Sequence, residues 1–328
     1  MPKLTVMIPV YNVEGYLRKC LDSVIYPQLE DYEILLVNDG STDSSGDICR
    51  EYADKYPQLI RLITTENGGL GKARDVGIDN AEGEYIIFLD SDDYLSENAL
   101  PEMMTYLNRG FDICFFDSVS INESGKILNK IPGCSVEGEF SLKSFPELLF
   151  EMPSAWNKIY RRSLFTDNGI YYPGRVWYED VYVTPHLYIK ANKMLSVRCQ
   201  WHNYLQRAGS ITNNKNTSRN LELIPAIEAA LNAYREEGVF EEYFEQLEYF
   251  TFRHQVIAAC ARVCLADWQT DVPDKLYNDF LSKFPNYMQN RYVKADSKKH
   301  KLIHFLIQHR RKLTLHILMK MNNFIKGK

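Results

Sequence analysis

The stretch that most constrains this chain is Tyr85–Asp93, Tyr-Ile-Ile-Phe-Leu-Asp-Ser-Asp-Asp. Its first five residues are aromatic or aliphatic with no polar alternation, the mark of a strand covered on both faces. The run then breaks into acids. In an open α/β sheet ligands collect at the carboxyl ends of the strands, and this strand ends there in negative charge. Asp90 and Asp92 stand two apart in an extended chain and so share a face. Hard carboxylate oxygens suit Mg²⁺ or Mn²⁺, ions that commonly bridge protein to phosphate. The competing reading is a solvated loop that merely caps a helix at Ser96, so the neighbouring segments must decide.

Those neighbours repeat one pattern. Leu4–Val10 is an apolar strand closed by Pro9, Tyr11 and Asn12, and the apolar spacing of Tyr16–Ile25 predicts a helix laid on the sheet. Glu33–Val37 is a second buried strand, followed by the turn- and cap-rich run Asn38–Asp43 and a helix through Tyr56. The strand Leu59–Thr64, the turn Asn67-Gly68-Gly69 and a helix through Ala81 come next. After Asp93 the pattern predicts a helix over Glu97–Asn108 and a strand over Asp112–Ser120. Alternation at this spacing means an α/β fold, a mostly parallel sheet with helices on both faces. The Gly-rich segment Gly69–Arg74 is neither a dinucleotide fingerprint nor a P-loop. Arg74 stands where the third glycine belongs, the segment follows the third strand, and no Gly-Lys-Ser/Thr closes it.

Four strand ends then lie along one rim: Pro9 and Tyr11, Asp39, Asn67 and Arg74, and Asp90 with Asp92. An aromatic ring there can stack on a base, a carboxylate can accept an imide N–H, Arg74 can reach phosphates, and a metal can screen their charge. Taken singly, Asp39 reads equally as a helix cap, Arg74 as a solvated helix residue and Tyr11 as core. Taken together they suit a nucleoside diphosphate.

The blocks Ile8–Asn12, Val37–Asp43, Asn67–Gly69 with Ala73–Gly77, and Asp90–Asp93 resemble the inverting glycosyltransferases of family 2, which have the GT-A fold. The resemblance covers roughly the first 120 residues in ordered, spaced blocks. It implies a sugar-nucleotide donor, usually UDP-linked, bound with Mn²⁺ or Mg²⁺. By that resemblance Asp39 holds the uracil, Asp90 the ribose side and Asp92 the metal, with Ser91 in the same donor-binding set. Two positions depart from the family pattern: Lys72 stands where a small residue is usual, and Asp75 where Asn is usual.

Ala155–Tyr160 and Trp177–Val181 are similar to later blocks of the same family. An acceptor hydroxyl is a poor nucleophile, and inversion needs its proton removed as attack occurs, which one carboxylate can do. The family pattern favours Asp180 as that base, with Glu179 orienting it or a neighbour. The competing reading is a helix-capping acidic pair. Trp156 and Lys158 are candidate acceptor contacts, an indole for a sugar face and an ammonium for an anionic group, with burial of Trp156 in the core as the alternative. His202–Thr212 resembles the family's Tyr-x-x-Arg-x-x-Ser segment, which closes over the diphosphate. Arg207 and Ser210 then stabilise the leaving UDP, and His202 is a candidate to complete the metal shell beside Asp92.

Composition bounds the rest. The chain has 328 residues, 45% hydrophobic and 25% charged, values of an ordinary globular protein. Its seven cysteines are scattered without a C-x-x-C pair, which fits reduced thiols in a cytosolic compartment. The opening residues lead straight into a strand rather than a signal peptide, and no run approaches a membrane span. The net charge of −5 hides an asymmetry: residues 291–328 carry +10 and residues 1–290 carry −15. An acidic body argues against nucleic acid as the main partner. In the tail, Leu302, Leu306, Leu313, Ile317, Met321 and Phe324 recur at helical spacing among Lys, Arg and His. That predicts a basic amphipathic helix or helix pair suited to an anionic membrane face, the alternatives being the acidic body or a second subunit in a homo-oligomer.

The expected organisation is a GT-A catalytic domain over 1–215, with a nucleotide-sugar half (1–120) and an acceptor half (121–215). A helical extension over 216–290 and the tail over 291–328 follow. The expected enzyme is cytoplasmic and peripherally bound to the inner face of the plasma membrane. It moves a sugar from UDP to a glycan or lipid-linked oligosaccharide acceptor in capsule, exopolysaccharide or wall-polymer assembly. The rivals are a sugar-phosphate nucleotidyltransferase, which wants a Gly-rich basic loop where Pro9–Asn12 stands, and an inactive nucleotide-sugar-binding protein.

Overall fold

A computed structural model of the chain describes residues 1–207 and 216–325, which fall into two compact units, Met1–Ala208 and Gly209–Lys328. In the first unit β1 (Leu4–Val10), β2 (Tyr32–Asp39) and β3 (Ile60–Thr65) alternate with the helices α1 (Glu14–Asp22), α2 (Ser45–Lys55) and α3 (Leu70–Asn80). β4 (Tyr85–Phe88), β5 (Tyr94–Leu95) and α4 (Ala99–Tyr106) follow. Every residue of β1, β2 and β4 is buried, as their unbroken apolar runs require once helices cover both faces. Burial of each such large side chain is worth about 1.5–3 kcal/mol.

β3, β2, β1 and β4 lie side by side in that order and pair parallel, with Val6 flanked by Ile34 and Ile87. Their carboxyl ends therefore share one rim. The chain runs outward from β1 through β3 and then returns to place β4 on the other side of β1. That reversal opens a crevice between the ends of β1 and β4, the place where such sheets bind ligands.

Beyond β4 the sheet is mixed rather than parallel. The remaining elements are β6 (Ile113–Asn122), β7 (Ile127–Ile131), β8 (Gly138–Phe140), β9 (Lys158–Arg161), α5 (Ser163–Thr166), α6 (Glu179–Lys190) and β10 (Met194–Gln206). β9 lies antiparallel between β4 and β6, pairing Ile159 with Ile87 and with Cys114. Because it runs the other way, its first residue arrives at the carboxyl end of β4, beside the acids. β10 pairs parallel with β6 through two register shifts, and its far end pairs His202 with Leu95 and Asn203 with Tyr94. The chain is thus returned to the rim at Arg207.

α3 packs closely against its neighbours through its glycines. A Cβ on Gly77 would fall 2.4 Å from Met7 Cγ of β1, and one on Gly71 would fall 2.1 Å from the Pro173 carbonyl oxygen. Gly69, at φ +87°, has the backbone of Arg175 within 3.0 Å of the same imagined atom. The glycines let the segment Tyr172–Arg175, which leads into α6, lie directly against the start of α3.

The second unit is helical: α7 (Leu223–Glu236), then α8 (Phe244–Thr251), a π-helical stretch Phe252–Ala259 and α9 (Cys260–Ala266) in one continuous run. α10 (Val272–Lys283), α11 (Arg291–Ala295), α12 (Lys298–Gln308) and α13 (Lys312–Ile325) complete it. The basic tail is the expected helix pair, and it packs within this unit. Ile303, Leu306, Ile307 and Leu315 are buried, His304 Nε2 meets the Tyr287 hydroxyl at 2.7 Å, and Lys312 Nζ donates to Asp274 at 2.8 Å. The other face of the pair, Leu302, Phe305, Leu313, Ile317, Leu318 and Met321, is exposed. No helix among the described residues is long and apolar enough to cross a membrane.

Gly71→Ala is expected to destabilise the first unit by about 1–3 kcal/mol, because backbone rather than a flexible side chain must move. Gly15→Ala, with nothing within 4 Å of the added carbon, is expected to be neutral or stabilising by about 0.5–1 kcal/mol. Chemical denaturation of the two variants checks the contrast.

Candidate active site

The site is assembled around Arg74 in the first turns of α3. Its guanidinium is only 1% exposed and is shared among three acids from distant parts of the chain. Nη1 donates to Glu179 Oε1 at 2.8 Å and to Asp180 Oδ1 at 2.9 Å, and Nη2 donates to Asp90 Oδ1 at 3.2 Å. The carboxylates keep 14%, 21% and 23% of their surface, so they face the crevice while the cation lies beneath them. Arg74 was expected to reach phosphates. Its Nη1 and Nη2 donors are instead engaged with the acids, which makes it the group that gathers them.

Burial pushes Asp90 up to about 6 against the pull of Arg74. Glu179 is pushed up to about 7, first by burial and then by the neighbouring charge of Asp180. One guanidinium cannot neutralise three crowded carboxylates, so Glu179 holds a proton over part of the neutral range. Asp180 has a second anchor: its Oδ2 accepts the backbone N–H of Ala155 at 3.1 Å. Glu179 and Asp180 open α6, where the helix N-terminus favours negative charge. The residue before them, Tyr178, sits in the left-handed region at φ +66°. That conformation is costly for a bulky residue, and surrounding contacts must enforce it.

Along the rim, Tyr11 stands 48% exposed just past β1, while Pro9 is buried within the strand. Asp39 is buried, and its two oxygens accept the N–H groups of Gly68 (2.7 Å) and Gly69 (2.9 Å). Asn67 Nδ2 donates to the Asp39 carbonyl at 3.0 Å. Asp39 therefore ties the end of β2 to the turn before α3. Ser91 is buried, and Asp92 remains 21% exposed with its carboxylate held by Arg207 Nε at 2.7 Å. The third acid, Asp93, faces inward: it accepts Leu205 N–H at 2.7 Å and lies 3.1 Å from His202 Nε2.

Two expected site residues lie elsewhere. His202 is wholly buried, pairs with Asp93 rather than turning toward Asp92, and stacks on Trp156 with centroids 4.8 Å apart. The pairing of β10 with β5 forces it inward. Lys158 is also wholly buried, and its ammonium donates to Ser154 O at 2.6 Å, Asn157 Oδ1 at 2.7 Å and Met152 O at 3.3 Å. Its ammonium is thus turned into the protein and away from solvent. Trp156 is 8% exposed and packs between His202 and Tyr204. Ser210 lies outside the described residues.

Residues missed from sequence are those whose role is carried by backbone or by burial. The Ala155 amide leaves no mark in a sequence. Asp75 accepts Tyr172 N–H at 2.8 Å and so fastens the segment before α6 to α3. Its departure from the family's usual Asn and its placement one residue after Arg74 were the available signals. Among the described residues no three His, Cys, Asp or Glu side chains converge as a metal cage. A one-carboxylate site nevertheless fits Mg²⁺-type chemistry, in which one or two carboxylates and substrate phosphates complete the shell, and Asp92 is the rim acid that meets that description.

Arg74→Met removes the one cation among three partly buried carboxylates and is expected to cost about 3–5 kcal/mol near neutral pH. Carboxyls whose folded values are raised bind protons on folding, so the cost eases as pH falls through 7 and 6. Denaturant titrations of both proteins at pH 5 and pH 8 check this: the gap should be smaller at pH 5.

Comparison with known proteins places this geometry. The model of the family "Glycosyl transferase family 2" matches residues 5–179. "Glycosyltransferase GlyA" of Streptococcus pneumoniae is 36% identical over 64% of this chain, which spans only 31% of that protein's length. The uncharacterised glycosyltransferase EpsJ of Bacillus subtilis is 30% identical, covering 80% of this chain and 79% of EpsJ. In fold, the chain is similar to Staphylococcus aureus TarS residues 1–349, solved in complex with UDP-GlcNAc. The TM-score is 0.63 at 22% identity, covering 95% of this chain and 92% of that one. With the family model matched over more than half its length and the rim built as described, the chain belongs to glycosyl transferase family 2 and is a glycosyltransferase.

Proposed function

We propose that the enzyme transfers a sugar, with inversion, from a UDP-sugar to a hydroxyl of a glycan acceptor, with Asp180 as general base. The observation that carries this reading is the double anchoring of Asp180 at the crevice. Arg74 holds one oxygen and the Ala155 amide the other, while the carboxylate keeps part of its surface open. A base must be fixed in direction yet reachable by the proton it takes. As the acceptor oxygen bonds to the anomeric carbon, its proton passes to Asp180 and the bond from that carbon to the diphosphate oxygen breaks. Glu179, beside it on the same guanidinium, can offer a hydrogen bond to the bound sugar while it holds its proton.

The donor lies along the rim, with Tyr11 exposed for base stacking and Asp39, Asn67 and the Gly68–Gly69 turn beneath. UDP as the carrier is supported by the fold likeness to TarS, a structure solved with UDP-GlcNAc. A Mn²⁺ or Mg²⁺ ion bound through Asp92 and the diphosphate would supply charge neutralisation for the departing UDP. From the chain itself, Arg207 at Asp92 brings a guanidinium to the same place.

The acceptor is proposed to be a lipid-linked glycan in cell-surface polysaccharide synthesis, reached from the inner face of the plasma membrane. The exposed apolar face of α12 and α13 supports this. Lys298, Lys299, Lys301 and Lys320 are exposed on the same two helices, and Arg310 and Arg311 on the turn between them, the composition that binds an anionic bilayer surface.

Two measurements test these readings. Asp180→Asn should lower transfer from the UDP-sugar selected by screening radiolabelled donors by about 10²–10⁴-fold, with UDP affinity nearly unchanged. Transfer near the wild-type rate removes Asp180 as the base. Leu313→Glu with Ile317→Glu should release the protein from phosphatidylglycerol vesicles in flotation while leaving helix content intact. Binding that persists removes the membrane role of this face, and a loss of self-association in sedimentation assigns it to a second subunit.

A further inference from the structure

We propose that Lys158 and Thr184 are positioning residues that aim the Ala155 amide at Asp180, an inference that rests on Asp180 being the base. The segment Met152–Asn157 has no regular structure of its own, yet three successive carbonyls in it are captured from below. Lys158 Nζ donates to Met152 O at 3.3 Å and to Ser154 O at 2.6 Å, and between them Thr184 Oγ1 donates to Pro153 O at 2.8 Å. Asn157 joins the ammonium to the same segment: its Oδ1 accepts from Lys158 Nζ at 2.7 Å and from Ser154 Oγ at 2.9 Å. With three consecutive carbonyls turned inward, the next N–H, that of Ala155, is left pointing to Asp180 Oδ2 at 3.1 Å.

The clamp has two ends on one helix. Asp180 and Thr184 are four residues apart in α6 and so lie on the same face, one turn above the other. One accepts a hydrogen bond from the segment and the other donates one to it, which fixes both the distance and the rotation of the segment relative to the carboxylate. Lys158 supplies the third point from β9, at the end where that strand meets the acid end of β4. A buried ammonium is a costly device for packing alone: it is wholly enclosed, and taking such a charge out of water is strongly unfavourable. Burial accordingly pushes Lys158 down to about 7, with the charge of Asp180 opposing the fall. An apolar side chain would fill the same volume without that penalty but would leave the Met152 and Ser154 carbonyls without their donor.

The test uses the full chain with Lys158→Met, Thr184→Val and Thr184→Ser. Lys158→Met is expected to lower kcat by about 10–100-fold and Thr184→Val by about 3–10-fold, the range for small misplacement of a catalytic group. The KM for the UDP-sugar and the calorimetric Kd for UDP should stay within about twofold of wild type, and Thr184→Ser, which keeps the hydroxyl, should restore kcat. If kcat is unchanged in Thr184→Val while Asp180→Asn is inactive, the positioning role is wrong and the base assignment stands. An active Asp180→Asn removes the base assignment itself. Should Lys158→Met fail to fold, the Thr184 pair still decides, because Val and Thr have nearly the same shape. Parallel losses of kcat and UDP affinity in Thr184→Val would reduce the clamp to a structural support and overturn the proposal.

Discussion

The candidate site of the first unit depends on one buried guanidinium shared by three acids. Arg74 joins Asp90 at the end of β4 to Glu179 and Asp180 at the start of α6, residues 16, 105 and 106 positions away. Carboxylates at that spacing repel one another, and partial burial makes the repulsion stronger. A guanidinium, planar and always charged, offers several donors in a fixed fork, which an ammonium does not. Without it the acidic strand end and the acidic helix start have no electrostatic reason to share a crevice. The proton load on Glu179 and Asp90 follows from the same imbalance of three acids to one cation.

Close backbone approach sets where that crevice lies. Gly71 and Gly69 allow the Tyr172–Arg175 segment to lie on the first turn of α3, the turn that presents Arg74. Asp75, one residue on, holds Tyr172 by its amide. The segment then turns through the strained Tyr178 into α6, so the position of both acids is dictated by contacts made before the helix begins. The Gly-rich motif here lets two distant parts of the chain, the start of α3 and the segment before α6, pack backbone to backbone.

In the second unit the tail helices carry two apolar faces. Ile303, Leu306, Ile307 and Leu315 bury one face against the helical core, and a second apolar face with Leu302, Phe305, Leu313, Ile317, Leu318 and Met321 remains in solvent. The pair is thus apolar on more than the side it packs with.

The sequence by itself determined the strand–helix alternation, the common rim of β1 to β4, the acid-ended fourth strand and the helical second unit with its basic amphipathic end. These are written in short-range periodicity: an unbroken apolar run, a turn residue and a cap act within a few positions, and the family blocks repeat them in order. Tertiary structure alone decided the rest. That β9 slots antiparallel between β4 and β6, that Lys158 and His202 are enclosed rather than presented, and that Arg74 is held among three acids depend on partners far along the chain. A charged side chain reads the same in sequence whether it ends in water or beneath a sheet. Only the packed fold fixes what surrounds it, and desolvation together with the available partners then sets its charge and its use.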